Sequence, residues 1–310
     1  MMNRLQHSLP MRLAVALVAL FGLACGGGGT PIVEPLPPPT GFQPGVPVFG
    51  QRSFVEYVPG ELAVIISAPH GGSLAPTDIP DRTVGTTVTD NNTIELARAI
   101  SAALVARTGR APHLVITHLR RTKLDANREV AEAAAGNPQA VQAWTEYHAF
   151  VDSAKAAALR RSGFAVYIDL HGHGHPIRRL ELGYLLSAAT LNGDDKSLNT
   201  GAIGNSSLRE LTALQRPFAE VLRGTTSLGG LLEVRGVPAV PSPAMPSPGA
   251  EPYFDGGYNT QRHTVNGVVG LQIEAHFTGV RDTDANRRAF AAALAESLQL
   301  WTAEHVRRSW

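Results

Sequence analysis

FAVYIDLHGHGH, residues 164–175, is the stretch on which the reading of the chain turns. Its first part, FAVYIDL (164–170), has the length and the apolar, β-branched and aromatic character of a buried strand. Residues 138–161 lead into it, rich in alanine and closing on Arg160 and Arg161, and read as a helix with cations at its carboxyl end. The same alternation recurs on either side. LAVIISA (62–68) is a continuous apolar run that stops at Pro69, and HLVITHL (113–119) is another. Between them a helix follows Asp90, with Ile94, Leu96, Ala97, Ile100, Ala103 and Leu104 at helical spacing and Gly109 as its stop. LGYLLS (182–187) and GVVGLQIEA (267–275) read as further strands, and residues 282–306 as a long closing helix. Strand, helix, strand, helix predicts an α/β domain with a mixed, largely parallel sheet flanked by helices. The long irregular stretch PAVPSPAMPSPGAEPYFDGGY (238–258) is read as a lid or rim.

A chain of 310 residues, 44% hydrophobic and 17% charged, carries enough apolar material for one large core or two modest ones. A net charge of +1 offers no broad basic field for nucleic acid, so partner choice must come from a site. Arg4 and Arg12 precede LAVALVALFGLA (13–24), about a dozen residues and too short to span a ~30 Å hydrocarbon layer as a helix. Residues 1–24 therefore read as an export signal. With Cys25 next, the segment resembles a bacterial lipoprotein signal, which implies lipidation at Cys25 and an exported domain anchored at the cell envelope membrane. Residues 25–50, dense in glycine and proline, read as a tether, and residues 51–310 as the folded domain. Cys25 is the single cysteine, so no intramolecular disulfide is available.

Ligands of open α/β sheets collect at the carboxyl ends of strands, and three polar clusters fall there. His70 ends the first strand in SAPHGG, His171 ends the third, and Glu274 lies near the end of GLQIEAH. A catalytic zinc often takes two histidines and a carboxylate and keeps a fourth position for water. Asp90 is the first choice for that carboxylate and Glu95 the second, although Asp90 would equally serve as an ordinary helix N-cap. Asp169, two residues before His171 and on its face of the strand, is expected to orient that histidine from behind or to replace Asp90 as a ligand. In HLRRTKLDANRE (118–129), Arg121, Asp125, Asn127 and Arg128 follow the second strand, and an Arg beside an Asn suits bidentate capture of a substrate carboxylate. Read without the rest, this stretch is an exposed polar loop with an internal Asp–Arg pair. His173 and Arg179 are further candidates for substrate contacts, and His175 for a supporting one.

SAPHGG, the Asp of VTDNNT, KLDANRE, IDLHGHGH, ELGY, YFDGGYNT and GLQIEAHFTGVRD together resemble the N-formylglutamate amidohydrolase family, related in fold to the zinc carboxypeptidases. The resemblance spans roughly residues 55–305 and rests on motif order as well as content. It implies a phosphorylase/hydrolase-like three-layer fold and one zinc per chain held by His70, Asp90 and His171. It further implies Asn127 and Arg128 as the pair on the substrate carboxylate, Glu274 as general base and Arg121 as a cation beside the developing oxyanion. In the carboxypeptidases the carboxylate ligand follows the first histidine by three residues, and that position here is Ser73. The expected reaction is hydrolysis of an amide in a small N-acyl amino acid or short peptide that bears a carboxylate. The rival expectations are a cell-wall peptidase on the same scaffold and a non-catalytic ligand-binding lipoprotein.

Overall fold

The computed structural model describes residues 41–211 and 214–308. The export signal, Cys25 and the tether up to residue 40 lie outside the described residues. Eight strands form one mixed sheet: β1 (Val48–Phe49), β2 (Val55–Val58), β3 (Val64–Ala68), β4 (His113–Thr117), β5 (Ala165–His173), β6 (Leu180–Gly183), β7 (Ala239–Val240) and β8 (Val268–His276), in the order β1-β2-β4-β3-β5-β8-β6-β7. The four central strands β4, β3, β5 and β8 are mutually parallel. β2 and β6 flank them antiparallel, β1 runs antiparallel to β2, and β7 runs parallel to β6.

Alternation along the strands builds three layers. Val166, Ile168 and Leu170 of β5 pack with helix α1 (Thr93–Thr108) and the closing helix, Asp284–Trp301, on one face. Ala165 and Tyr167 face the other side and meet helix α2 (Pro138–Ser162). α2 starts on Asn137, whose side chain accepts hydrogen bonds from the Gln139 and Ala140 amides, and stops at Gly163, in the left-handed region at φ 71°. α1 connects β3 to β4 over one face, and α2 connects β4 to β5 over the other. β3 is therefore the point where the winding reverses, and the crevice past its carboxyl end is where such folds open a binding site.

The structure differs from the sequence reading in particular places. β5 and β8 run on through His173 and His276, so His171 sits inside a strand, with its outer neighbours still paired. β6 covers 180–183 and not 182–187, because the chain turns out of the sheet at Leu185, which sits in the left-handed region at φ 62°. The packed chain begins before residue 51: Phe42 stacks edge-on against Tyr57 at 5.2 Å and β1 pairs with β2. Asp90 is not the N-cap of α1. That position is Asn92, while the Asp90 carbonyl accepts from the Thr93 amide and hydroxyl. The stretch 238–258 is anchored to the sheet: the Tyr253 hydroxyl donates to the Leu182 carbonyl, and the Phe254 amide to Glu181.

Candidate metal centre

His70 sits two residues past β3, in a turn whose carbonyl accepts the Asp90 amide at 3.0 Å. Its neighbour Gly72 lies against the backbone of His118 and Leu119, where a Cβ would meet carbonyl oxygens at 2.3–2.4 Å. Only glycine lets the turn close that tightly. His171 approaches from β5, and the two rings meet edge-on with centroids 4.6 Å apart. Asp90 Oδ2 stands 3.3 Å from His70 Nδ1 and 3.4 Å from His171 Nδ1, and it accepts the Gly172 amide at 3.2 Å. All three side chains are buried.

The far nitrogens of both rings are committed. His70 Nε2 lies 2.6 Å from Asp125 Oδ1, and His171 Nε2 lies 3.0 Å from Asp169 Oδ2. A carboxylate only accepts, so each Nε2 donates, and in the neutral rings both Nδ1 lone pairs point toward Asp90 Oδ2. Three electron-rich atoms thus converge and need a positive charge between them. A tetrahedral zinc with ligands at ~2.0–2.1 Å separates neighbouring donors by roughly 3.3–3.4 Å, which is the spacing Asp90 keeps to both rings. The donor set fits zinc, with each ring braced from behind by a buried acid. The same acids act on protons. Burial opposes the charged form of His171, yet Asp169 and Asp90 outweigh it and hold the ring well above the ordinary histidine range. Burial pushes the Asp90 carboxyl up, but hydrogen bonds that His171 and His70 donate through Nδ1 when no metal holds those nitrogens reverse this and hold it far below the usual carboxylate range.

Asp169 is fixed in its turn. It accepts from Ser67 Oγ at 3.0 Å, Asn259 Nδ2 at 3.4 Å and Thr260 Oγ1 at 3.5 Å, the last two on helix α3 (Tyr258–His263). It contacts His171 at the ring nitrogen turned away from Asp90. Glu95 is exposed on α1 and lies outside the cluster, as does exposed Ser73.

Glu274 of β8 is the register partner of His171 on one side and of Glu181 on the other, so the three side chains share a row on one face of the sheet. Gln272 Nε2 donates to Glu274 Oε1 at 2.9 Å. Burial pushes the Glu274 carboxyl up to about 8; Asp90, Glu181 and Asp169 push the same way and His171 opposes them. A carboxyl group held near neutrality both takes and returns a proton readily.

The remaining predicted residues divide. Arg121 reaches the centre, but Nε donates to Asp125 Oδ2 at 3.0 Å and Nη1 lies 3.5 Å from Asp90 Oδ1, so it braces two acids. Asn127 Nδ2 lies 3.4 Å from His171 Nε2, and its Oδ1 accepts the Asn259 amide at 2.7 Å. Arg128 turns outward and pairs with Glu132 at 3.3 Å, both side chains more than a third exposed. The structure does not bring it to the cluster. His173 Nε2 donates to the Arg179 carbonyl at 2.9 Å and its Nδ1 accepts the His175 amide at 3.2 Å, so its ring is part of the wall. Arg179 is buried and donates to the Pro252 carbonyl. Asp125 as the brace of His70 was missed from sequence; its one signal was its place two residues before Asn127 in KLDANRE. Glu181, which holds His175 Nδ1 at 2.8 Å, had no signal beyond its place in ELGY.

A scan against protein-family models finds no match, and a search of curated proteins finds none. Among solved structures, the chain is similar to N-formylglutamate amidohydrolase from Ralstonia eutropha JMP134, with 17% identity, TM-score 0.47 and coverage of 81% of this chain and 98% of that one. It is also similar to a gene product of Agrobacterium tumefaciens, with 13% identity, TM-score 0.49 and coverage of 82% and 96%. An N-acetylmuramyl-L-alanine amidase from Mycobacterium smegmatis matches at 12% identity, TM-score 0.34 and coverage of 77% and 95%. At such scores these likenesses decide nothing about chemistry, which rests on the geometry of the centre itself.

Proposed function

We propose that this protein is a zinc-dependent amide hydrolase of the N-formylglutamate amidohydrolase kind, with one zinc per chain held by His70, Asp90 and His171. The observation that carries the reading is the convergence of two Nδ1 atoms on one carboxylate oxygen, each at tetrahedral-edge distance from it, with each ring braced by a separate buried acid. Bound zinc would polarise the scissile carbonyl and make water acidic enough to attack it near neutral pH.

The chain's own groups do the rest. Glu274, with its carboxyl near neutrality, takes the proton of the attacking water and returns it to the leaving nitrogen. Asp125 and Asp169 hold the rings so that nothing need reorganise as charge develops. Arg121 helps to keep Asp125 ionised and holds both Asp90 and Asp125 in place. Asn127, fixed by the Asn259 amide, stands beside the outer nitrogen of His171 and helps to hold that ring in place. Arg128 is held by its part-exposed pair with Glu132 and by a 3.3 Å hydrogen bond to the Asn127 carbonyl, and the exposed pair competes weakly, so its guanidinium can exchange Glu132 for a substrate carboxylate. The substrate class is an N-acyl amino acid or short peptide with a free carboxylate. With lipidation at Cys25, the enzyme would work at the cell envelope, and Cys25→Ala should then move it from the detergent phase to the aqueous one; unchanged partitioning would remove the anchor.

The functional reading is tested by assaying the zinc-loaded protein on N-formyl and N-acetyl amino acids, short peptides and muropeptides, with and without a chelator. Amide cleavage that the chelator abolishes and zinc restores is the expected result. Cleavage indifferent to the chelator, or none on any of the panel, rejects it.

A further inference from the structure

A second concavity lies beyond the wall formed by His173, His175 and Glu181. It measures about 340 Å³ and opens between the start of β6, the 235–238 turn and the chain that follows β8. Arg178, Arg179, Arg235 and His276 line it, and among the described residues no carboxylate does. Arg178 stands exposed at the mouth, whereas Arg179 is 5% exposed. Arg179 Nε is buried without a hydrogen-bond partner among the described residues, and so is Arg235 Nε, although another Arg235 nitrogen pairs with Glu296 at 2.7 Å. The only hydrogen bond described for the Arg179 guanidinium is to the Pro252 carbonyl, and no anion among the described residues lies within 4.0 Å of it. On its other side Arg179 lines a narrower hollow with Glu181 and Glu251, neither of which pairs with it within 4.0 Å, so the buried guanidinium lacks a direct ion pair and an arriving anion would supply one. The remaining walls are apolar, with Leu180, Val237 and Phe290 among them.

We propose that this cavity binds a small organic anion: a carboxylate carried on a short apolar body. The carboxylate meets the guanidinium nitrogens of Arg178 and Arg179, and the body lies against Leu180, Val237 and Phe290. The cavity is separate from the zinc centre. His276 follows Glu274 by two residues on β8, and its ring meets His173 edge-on at 5.2 Å, which places the wall between the two sites.

Isothermal titration of the purified protein with hexanoate tests this, with hexanamide as the uncharged counterpart and inorganic phosphate as the bare anion. Hexanoate should bind about tenfold or more tightly than hexanamide, the difference expected from one charged hydrogen bond, and more tightly than phosphate. Arg178→Gln, at an exposed position, should weaken hexanoate several-fold with an unchanged melting temperature, and Arg179→Gln should weaken it further. Asp90→Ala should leave hexanoate binding as it was. Equal binding of hexanamide, phosphate as tight as hexanoate, or indifference to Arg178→Gln overturns the proposal. Loss of binding in an Asp90→Ala protein that keeps the wild-type circular dichroism overturns it too, since the carboxylate would then be sitting on the metal.

Discussion

Asp125 and Asp169 show how a single carboxylate sets what a histidine can do. Each occupies the outer nitrogen of one ring, leaving the inner nitrogen to face Asp90. Asp125→Asn would keep the shape but lose the charge, and should weaken zinc binding about 10- to 100-fold, the usual size for such a brace. Competition with a zinc-sensitive dye measures it, and unchanged affinity would remove Asp125 from the centre. Glu274 makes a different demand. As the proposed base its carboxyl would change protonation during turnover, so Glu274→Gln should keep the zinc and lose at least ~100-fold in kcat. Steady-state kinetics beside metal analysis checks this, and retained turnover would assign the proton to another group.

At the level of elements, the site depends on how closely β5 and β8 lie. A Cβ at Gly270 would meet the Tyr167 carbonyl at 2.0 Å, backbone that cannot yield without spreading the two strands. Gly270→Ala should therefore cost at least ~2 kcal/mol by urea denaturation and lower kcat as well, because His171 and Glu274 sit on that strand pair. Stability equal to wild type would contradict the packing described. The central strands were legible in the sequence because both faces are buried, which leaves continuous runs such as LAVIISA and HLVITHL. The last residues of β5, His171–His173, and of β8, His276, were not, since these histidines pair with polar groups and not with an apolar core. β1, β2 and β7 are two to four residues long, and only tertiary pairing makes them strands. The metal residues stood out by glycine-flanked histidines at strand ends. Asp125 stood out less, because the loop that carries it folds back across 55 residues to reach His70.

Over the whole molecule, titration of buried histidines remote from the centre ties stability to pH. His113 Nδ1 accepts from the Gly60 amide at 3.0 Å, and burial pushes the ring down to about 4; burial does the same to His263. The unfolded chain protonates these rings near ~6.5, so their contribution is present above that pH and is lost as pH falls toward 4. Each shift corresponds to about 3 kcal/mol, and urea midpoints should fall steeply between about pH 6.5 and 4. A flat profile would mean that these rings are not buried neutral. The three residues proposed to hold zinc come from positions 70, 90 and 171, braced from 125 and 169, so zinc binding there would be coupled to folding of the domain. Metal analysis of the purified protein beside its Asp90→Ala variant tests the account most directly. One zinc per chain in the wild type, absent from Asp90→Ala, is the predicted result; zinc retained by Asp90→Ala, or no zinc bound by wild type supplied with it, would contradict the account.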